Sequence, residues 1–219
     1  MRFEIKFAYS PDFDGQVRDW LRSHACVFSE AYPTRQVQNV YFDTFDLESF
    51  DENLAGVSRR SKVRYRWYGE GDLLPAGTLE IKNKHSQLGW KDSHRIEAGP
   101  YQDGDSWRAV HRKIRSALPR DMRPIFDDHP QAALINRYTR DYFESDDSLI
   151  RVTLDSQQEM FDQTASRCPN ITRKTNIPDI HVLEVKCAAE HKRLATEVLG
   201  TCPVRGSRFS KYTVGVESR

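Results

Sequence analysis

Apolar and polar positions alternate with period two over much of this chain. In Arg2-Phe3-Glu4-Ile5-Lys6-Phe7 the charges fall on even positions and the apolar residues on odd ones. Such alternation predicts a strand with one charged and one apolar face. It recurs in Lys62-Val63-Arg64-Tyr65-Arg66-Trp67, in Leu79-Glu80-Ile81-Lys82-Asn83-Lys84, in Arg151-Val152-Thr153-Leu154-Asp155 and in Val182-Leu183-Glu184-Val185-Lys186. A sixth strand places Tyr138, Arg140 and Tyr142 on one face. Helical spacing is confined to a few stretches. Ser10-Pro11 offers an N-cap and a first-turn proline ahead of Val17, Trp20 and Leu21. A second helix is expected over Asp105 to Leu118, a third over Ala188 to Leu199, and a short one over Phe209 to Val216. Loops are expected at Asp51–Gly56, Gly69–Gly77 and Arg167–Pro178.

Two architectures fit these strands. In one, the sheet packs its apolar face on helices and leaves its charged face in water. In the other, the sheet closes into a barrel with helices outside and charges lining a channel. The make-up of the charged face favours the second. Across the six strands it carries Arg2, Lys6, Lys62, Arg64, Arg66, Lys82, Lys84, Arg140, Arg151 and Lys186 against Glu4, Glu80, Asp155 and Glu184. The whole chain has 33 Lys plus Arg and 32 Asp plus Glu in 219 residues, a net charge of +1. Charge is therefore sorted by face. The near-neutral total excludes a polybasic exterior and gives no support to nucleic acid as a partner.

Apolar residues make up 38% and aromatics 11% of the sequence, enough for a folded core, and no repeat or linker divides it, so a single domain over 1–219 is expected. No apolar run approaches the roughly 18 residues of a membrane span, so direct membrane insertion is not expected. The cysteines Cys26, Cys168, Cys187 and Cys202 are widely spaced without a CxxC pair, which fits reduced thiols and a cytoplasmic location.

A concave surface of guanidinium and ammonium groups suits a polyanion with closely spaced charges. Arginine forks bind phosphate oxygens in pairs, and lysine adds a mobile point charge. Carboxylates beside phosphates hold Mg²⁺ or Mn²⁺, which take oxygen ligands. Phosphoryl transfer needs this combination of alignment, metal and cations. P-loop, Rossmann, HExxH and GxSxG patterns are absent, and the seven histidines show no metal-site spacing. Tyr65 and Trp67 fall on the opposite parity to Arg64 and Arg66, which argues against a stacking platform for single-stranded nucleic acid.

The ordered strings Val40-Tyr41-Phe42-Asp43-Thr44, Lys62–Gly69, Leu79-Glu80-Ile81-Lys82, Tyr138-Thr139-Arg140, Arg151–Asp155, Val182–Lys186 and Phe209-Ser210-Lys211-Tyr212 carry a resemblance. Together they resemble the catalytic (VTC) domain of the vacuolar transporter chaperone polyphosphate polymerases, within the triphosphate tunnel metalloenzyme superfamily. The resemblance implies an α+β fold: an antiparallel eight-stranded β-barrel forming a tunnel, with helices packed on the outside. It implies transfer of the γ-phosphate of ATP to a growing polyphosphate chain with Mn²⁺ or Mg²⁺. ATP or another triphosphate, polyphosphate and pyrophosphate are the implied partners. By position, Lys6, Arg64, Arg66, Lys82, Arg140 and Lys211 would act on the transferring phosphates. Lys62, Lys84, Tyr138, Arg151, Lys186, Arg208 and Ser210 would bind the substrate. Glu184 would position the metal, assisted by Glu4 or Glu80. The first strand carries one E-x-K, where the sister CYTH branch uses E-x-E-x-K, and this favours the VTC branch. Hydrolysis of inorganic or nucleoside triphosphates, and polyphosphate binding without catalysis, are the alternatives.

Overall fold

A computed structural model describes residues 2–86, 88–206 and 209–219. In chain order the elements are β1 (Arg2–Tyr9), α1 (Asp14–Ser23), β2 (Ser29–Asp43), α2 (Glu48–Ala55), β3 (Arg59–Tyr68), β4 (Gly77–His85) and β5 (Leu88–Ile96). There follow α3 (Trp107–Ala117), α4 (Arg123–Asp127), β6 (Gln131–Glu144), β7 (Ile150–Asp162), β8 (His181–Ala188), α5 (Lys192–Leu199) and α6 (Lys211–Glu217). The strands form one eight-stranded sheet in the order β1-β8-β7-β6-β2-β3-β4-β5. The registers of β1 with β8, β2 with β3, β3 with β4, β4 with β5 and β7 with β8 are antiparallel. The α+β fold expected from the sequence is thus present. The hydrogen-bonded order is an open series among the described residues, so no continuous ladder closes it into a barrel. Its last strand, β5, is blunted by the exposed, charged Lys91, Asp92 and Arg95, a common defence of sheet edges.

The chain divides into two compact units. The first comprises Met1–Gln36, Tyr138–Gln158 and Pro178–Ser210. Its core sets Phe7, Val152, Leu154, Leu183 and Val185 against Val17 and Leu21 of α1 and Ala195 and Val198 of α5. Cys187 is buried in the same cluster. Ser10 caps the single 3-10 turn Pro11–Phe13 that leads into α1. Glu4, Lys6, Thr153, Asp155, Glu184 and Lys186 alternate with these apolar residues and occupy the opposite face.

The second unit comprises Val37–Arg137, Glu159–Ile177 and Lys211–Arg219. Its main core packs Val63, Tyr65, Trp67, Leu79 and Ile81 on Trp107, Val110, Ile114 and Leu118, the stripe expected for α3. Ser106 caps that helix through the Ala109 amide. Two features depart from the expectations. Residues Glu48–Ala55 form a helix where Asp51–Gly56 was expected to be a loop. No local capping pattern marks this helix, because the capping group lies upstream: the Asp43 carboxylate accepts the Ser49 and Phe50 amides at 2.9 and 3.1 Å, across Leu47 at φ +61°. Second, α6 packs on the polar face and not outside the sheet. Tyr212 stacks on Tyr41 with ring centroids 4.9 Å apart, and Tyr41 stands directly opposite Arg64. The Tyr212 hydroxyl donates to Asp43, which is fully buried. Gly215 makes the approach possible, because a Cβ there would lie 2.4 Å from Leu134 Cδ2.

Candidate functional site

In the first unit, strand parity delivers a balanced set of charges. Lys6 Nζ lies 2.8 Å from Glu4 Oε1 and 3.1 Å from Glu184 Oε1. Lys186 pairs with the other oxygen of Glu184 and lies 4.0 Å from Glu4. Arg140 grips Asp155 with both Nε and Nη2, the latter at 2.7 Å, and reaches Glu184 at 3.7 Å. Its guanidinium lies over the buried Tyr138 ring, 5.2 Å from the centroid. Burial works against the Glu184 carboxylate, but Lys6, Lys186 and Arg140 outweigh it and hold Glu184 well below the usual carboxylate range. Burial likewise opposes the Lys6 ammonium, and Glu184 and Glu4 overcome it, raising the group above its ordinary value. Three cations here face three carboxylates.

The second unit carries a different set of charges. Across its polar face the registers set Asn39 beside Arg66, Tyr41 beside Arg64 beside Glu80, and Lys62 beside Lys82 beside Lys91. Three lysines thus share one row. Glu80 is the acid among them. Arg64 donates to its Oε2 through Nε at 2.6 Å and also through Nη2, Lys91 donates to Oε1 at 2.7 Å, and Arg66 lies 3.8 Å away. Burial pushes against ionisation of Glu80, yet Arg64, Arg66 and Lys91 drive its pKa far below the usual range. Like charges placed directly across a ladder repel one another.

An amide relay runs off Arg66. Its Nε can only donate, so the oxygen of Asn39 accepts it at 2.8 Å, and the Asn39 amide nitrogen then donates to Asn136 Oδ1 at 2.8 Å. Among the described residues, this leaves the buried Asn136 Nδ2 without a partner. In the first unit the Thr153 hydroxyl, next to Glu184 in register, is in the same state. Orphaned buried polar groups are rare and invite a ligand or water.

Contacts thus gather Lys6, Glu4, Glu184, Lys186, Arg140 and Tyr138 in one unit, and Arg64, Arg66 and Glu80 in the other. Lys62 and Lys82 stand one row from Glu80. Arg151 lies on the expected parity, but it is exposed and pairs with Glu144 at 2.8 Å. Lys84 is exposed at the outer end of β4, Ser210 immediately precedes α6, and Lys211 begins it. Arg208 lies outside the described residues. Lys91, Asn39 and Asn136 were not anticipated. Lys91 sits on β5, whose run Leu88–Ile96 lacks a clean alternation, and the asparagines carry no charge to attract notice. A cleft of about 450 Å³ opens elsewhere in the second unit, beside Ser49 and His129. There His129 Nδ1 donates to the Ile125 carbonyl, which can only accept, at 2.6 Å, and Nε2 lies 3.0 Å from the Ser49 hydroxyl. The pair is satisfied and ties α2 to the turn after α4.

The match to known families decides the lineage: the VTC domain model covers residues 1–219. The chain belongs to the VTC domain family. No curated protein matches it. Among solved structures, this VTC domain is similar to a candidate adenylyl cyclase from Hippeastrum, described as having a dominant triphosphatase activity. The TM-score is 0.60 at 21% identity, over 99% of this chain and 96% of that one. It is also similar to a candidate adenylate cyclase from Vibrio parahaemolyticus, with a TM-score of 0.55 at 8% identity over 97% of both chains. At such identities the likeness establishes the fold. Among the described residues, no helix is long and apolar enough to cross a membrane, and no three His, Cys, Asp or Glu side chains gather as a metal site.

Proposed function

We propose that this VTC domain is a phosphotransferase that binds a triphosphate through its Lys and Arg faces and passes the terminal phosphoryl group of ATP to a phosphate or polyphosphate end. The observation that carries the reading is the lysine row of the second unit beside Arg64, Arg66 and the orphaned Asn136 amide. Arg64 and Arg66 clamp phosphate oxygens, Lys62 and Lys82 neutralise the chain, and Asn136 Nδ2 donates to an oxygen. Glu80 serves as the internal counterion that keeps these cations together before substrate arrives.

A divalent ion fits the first unit. Glu184 and Glu4 present hard oxygens on either side of Lys6, and Thr153 adds an unused hydroxyl. Two carboxylates completed by substrate oxygens and water are a usual Mg²⁺ arrangement. Mn²⁺ or Mg²⁺ held there would supply charge neutralisation to a bound phosphate. Arg140, fixed by Asp155, orients phosphate oxygens, and Lys6 and Lys186 hold Glu184 ionised. The unbroken family match supports treating residues 1–219 as one functional domain. The four free thiols fit a cytoplasmic location.

Hydrolysis is the second reading, favoured by the triphosphatase activity named for the Hippeastrum protein. The same residues serve it, with water as nucleophile. Incubation with ATP and Mn²⁺, followed by ³¹P NMR, separates the two. ADP together with polyphosphate resonances is the expected result. Orthophosphate without chain extension supports hydrolysis. Failure of both ATP and tripolyphosphate to bind overturns both readings.

A further inference from the structure

The phosphate-binding groups described above recognise charge and leave the rest of a nucleotide unread. Further along the polar face of β6, within the first unit, lies a cluster of another kind. Tyr138, Arg140 and Tyr142 follow one another on that face, and positions two apart on a strand are separated by roughly 6–7 Å. Tyr142 meets Tyr32 edge to face, with centroids 5.7 Å apart and planes at 83°. The Arg35 guanidinium lies over both rings, 5.5 Å from the Tyr32 centroid and 5.9 Å from that of Tyr142.

This group is solvent-facing. Tyr32 is 52% exposed and Arg35 is exposed, whereas residues 37–43 of the same strand are all buried. It is also held in place. Between Tyr32 and Arg35, Thr34 donates to Asp141, whose other oxygen receives Arg18 of α1 at 2.7 Å. Asp141 is the neighbour of Tyr142 and points to the opposite side of β6, so this pair of contacts anchors the strands from behind. Two rings and a planar cation, preorganised at a wet surface one step from Arg140, have the form of a stacking platform for a flat π-system.

We propose that Tyr32, Arg35 and Tyr142 form a nucleobase platform, which makes a nucleoside triphosphate the substrate of this domain in preference to inorganic tripolyphosphate. The inference rests on the triphosphate reading above and deepens it. With a phosphate on Arg140, the base stacks on the open side of Tyr32 and the guanidinium of Arg35. Stacking is tolerant of base identity, so purines are favoured only by their larger surface.

The test compares affinities for ATP and tripolyphosphate, measured by calorimetry, in the wild type, Tyr32→Ala, Tyr32→Phe and Arg35→Ala. Tyr32→Ala and Arg35→Ala are expected to weaken ATP about tenfold, within the range for lost base stacking, and to leave tripolyphosphate within about twofold. Tyr32→Phe keeps the ring and should bind ATP as the wild type does. An equal fall for both ligands, or no change for ATP, overturns the platform while leaving the triphosphate reading intact. A wild type that binds neither ligand overturns both.

Discussion

Replacing Glu80 by Gln removes one negative charge and keeps the shape of the side chain. Glu80 is 5% exposed and Arg64 8% exposed, and two guanidinium nitrogens of Arg64 meet one carboxylate oxygen. Removing one partner of such a buried pair costs about 3–5 kcal/mol. Lys91 contributes little to that figure. Its side chain is 43% exposed and regains water, so its share is about 0–1 kcal/mol. At about 2–4 °C per kcal/mol for a chain of this size, Glu80→Gln should lower the melting temperature by about 10 °C in metal-free buffer. The cations left behind would then accept an anion without competition. Tripolyphosphate at about a hundred times its Kd stabilises by about 2.7 kcal/mol, which returns most of the loss. The assay is thermal unfolding of both proteins with and without tripolyphosphate, at ionic strength matched with sodium chloride. The rescue should be larger for the variant than for the wild type. A variant that melts within about 2 °C of the wild type without ligand, yet loses its response to Mn²⁺, would refute the counterion role and assign Glu80 to a metal.

Three further outcomes are expected. Tyr212→Phe removes the proton donated to buried Asp43 and should cost about 1.5–3 kcal/mol, read as a lower urea midpoint with an unchanged slope and faster amide exchange over residues 211–217. Gly215→Ala drives a methyl into Leu134 and Met160, both fully buried, and should destabilise by about 1–3 kcal/mol in the same measurement. Stability should fall in two stages on acidification. Burial depresses the His111 pKa, so the unfolded chain binds the extra proton first and stability declines as pH drops below about 6.5. Glu80 and Glu184, held below the usual range, add stability that is present above about pH 4.3 and lost as pH falls further. His111→Gln should abolish the first stage and leave the second.

Most elements were legible where side chains alternate or repeat on a helical stripe. The β3 run Lys62–Trp67 and the α3 stripe of Trp107, Val110, Ile114 and Leu118 are examples, because period and burial coincide there. Helix α2 was not legible. Its cap is a carboxylate six residues ahead of the Ser49 amide it binds, outside any local capping pattern. Asp43 is fully buried and joins α2 to α6 by accepting from the Ser49 and Phe50 amides and the Tyr212 hydroxyl. Lys91 escaped notice because a charge on an irregular edge strand cannot be assigned a face from spacing alone.

The alternation of side chains by itself determined that charge is segregated from the apolar core, since a strand's period of two fixes which residues share a face whatever the fold. It could not determine how those charges are shared out. Strand order and register did that. They set Lys6, Lys186 and Arg140 against Glu4, Glu184 and Asp155 in one unit, and left a row of three lysines with Arg64 and Arg66 around Glu80 in the other. Cross-strand neighbours come from segments far apart in sequence, and electrostatic energy depends on the distances between them. The make-up of each unit's charge cluster was therefore decided by the tertiary structure.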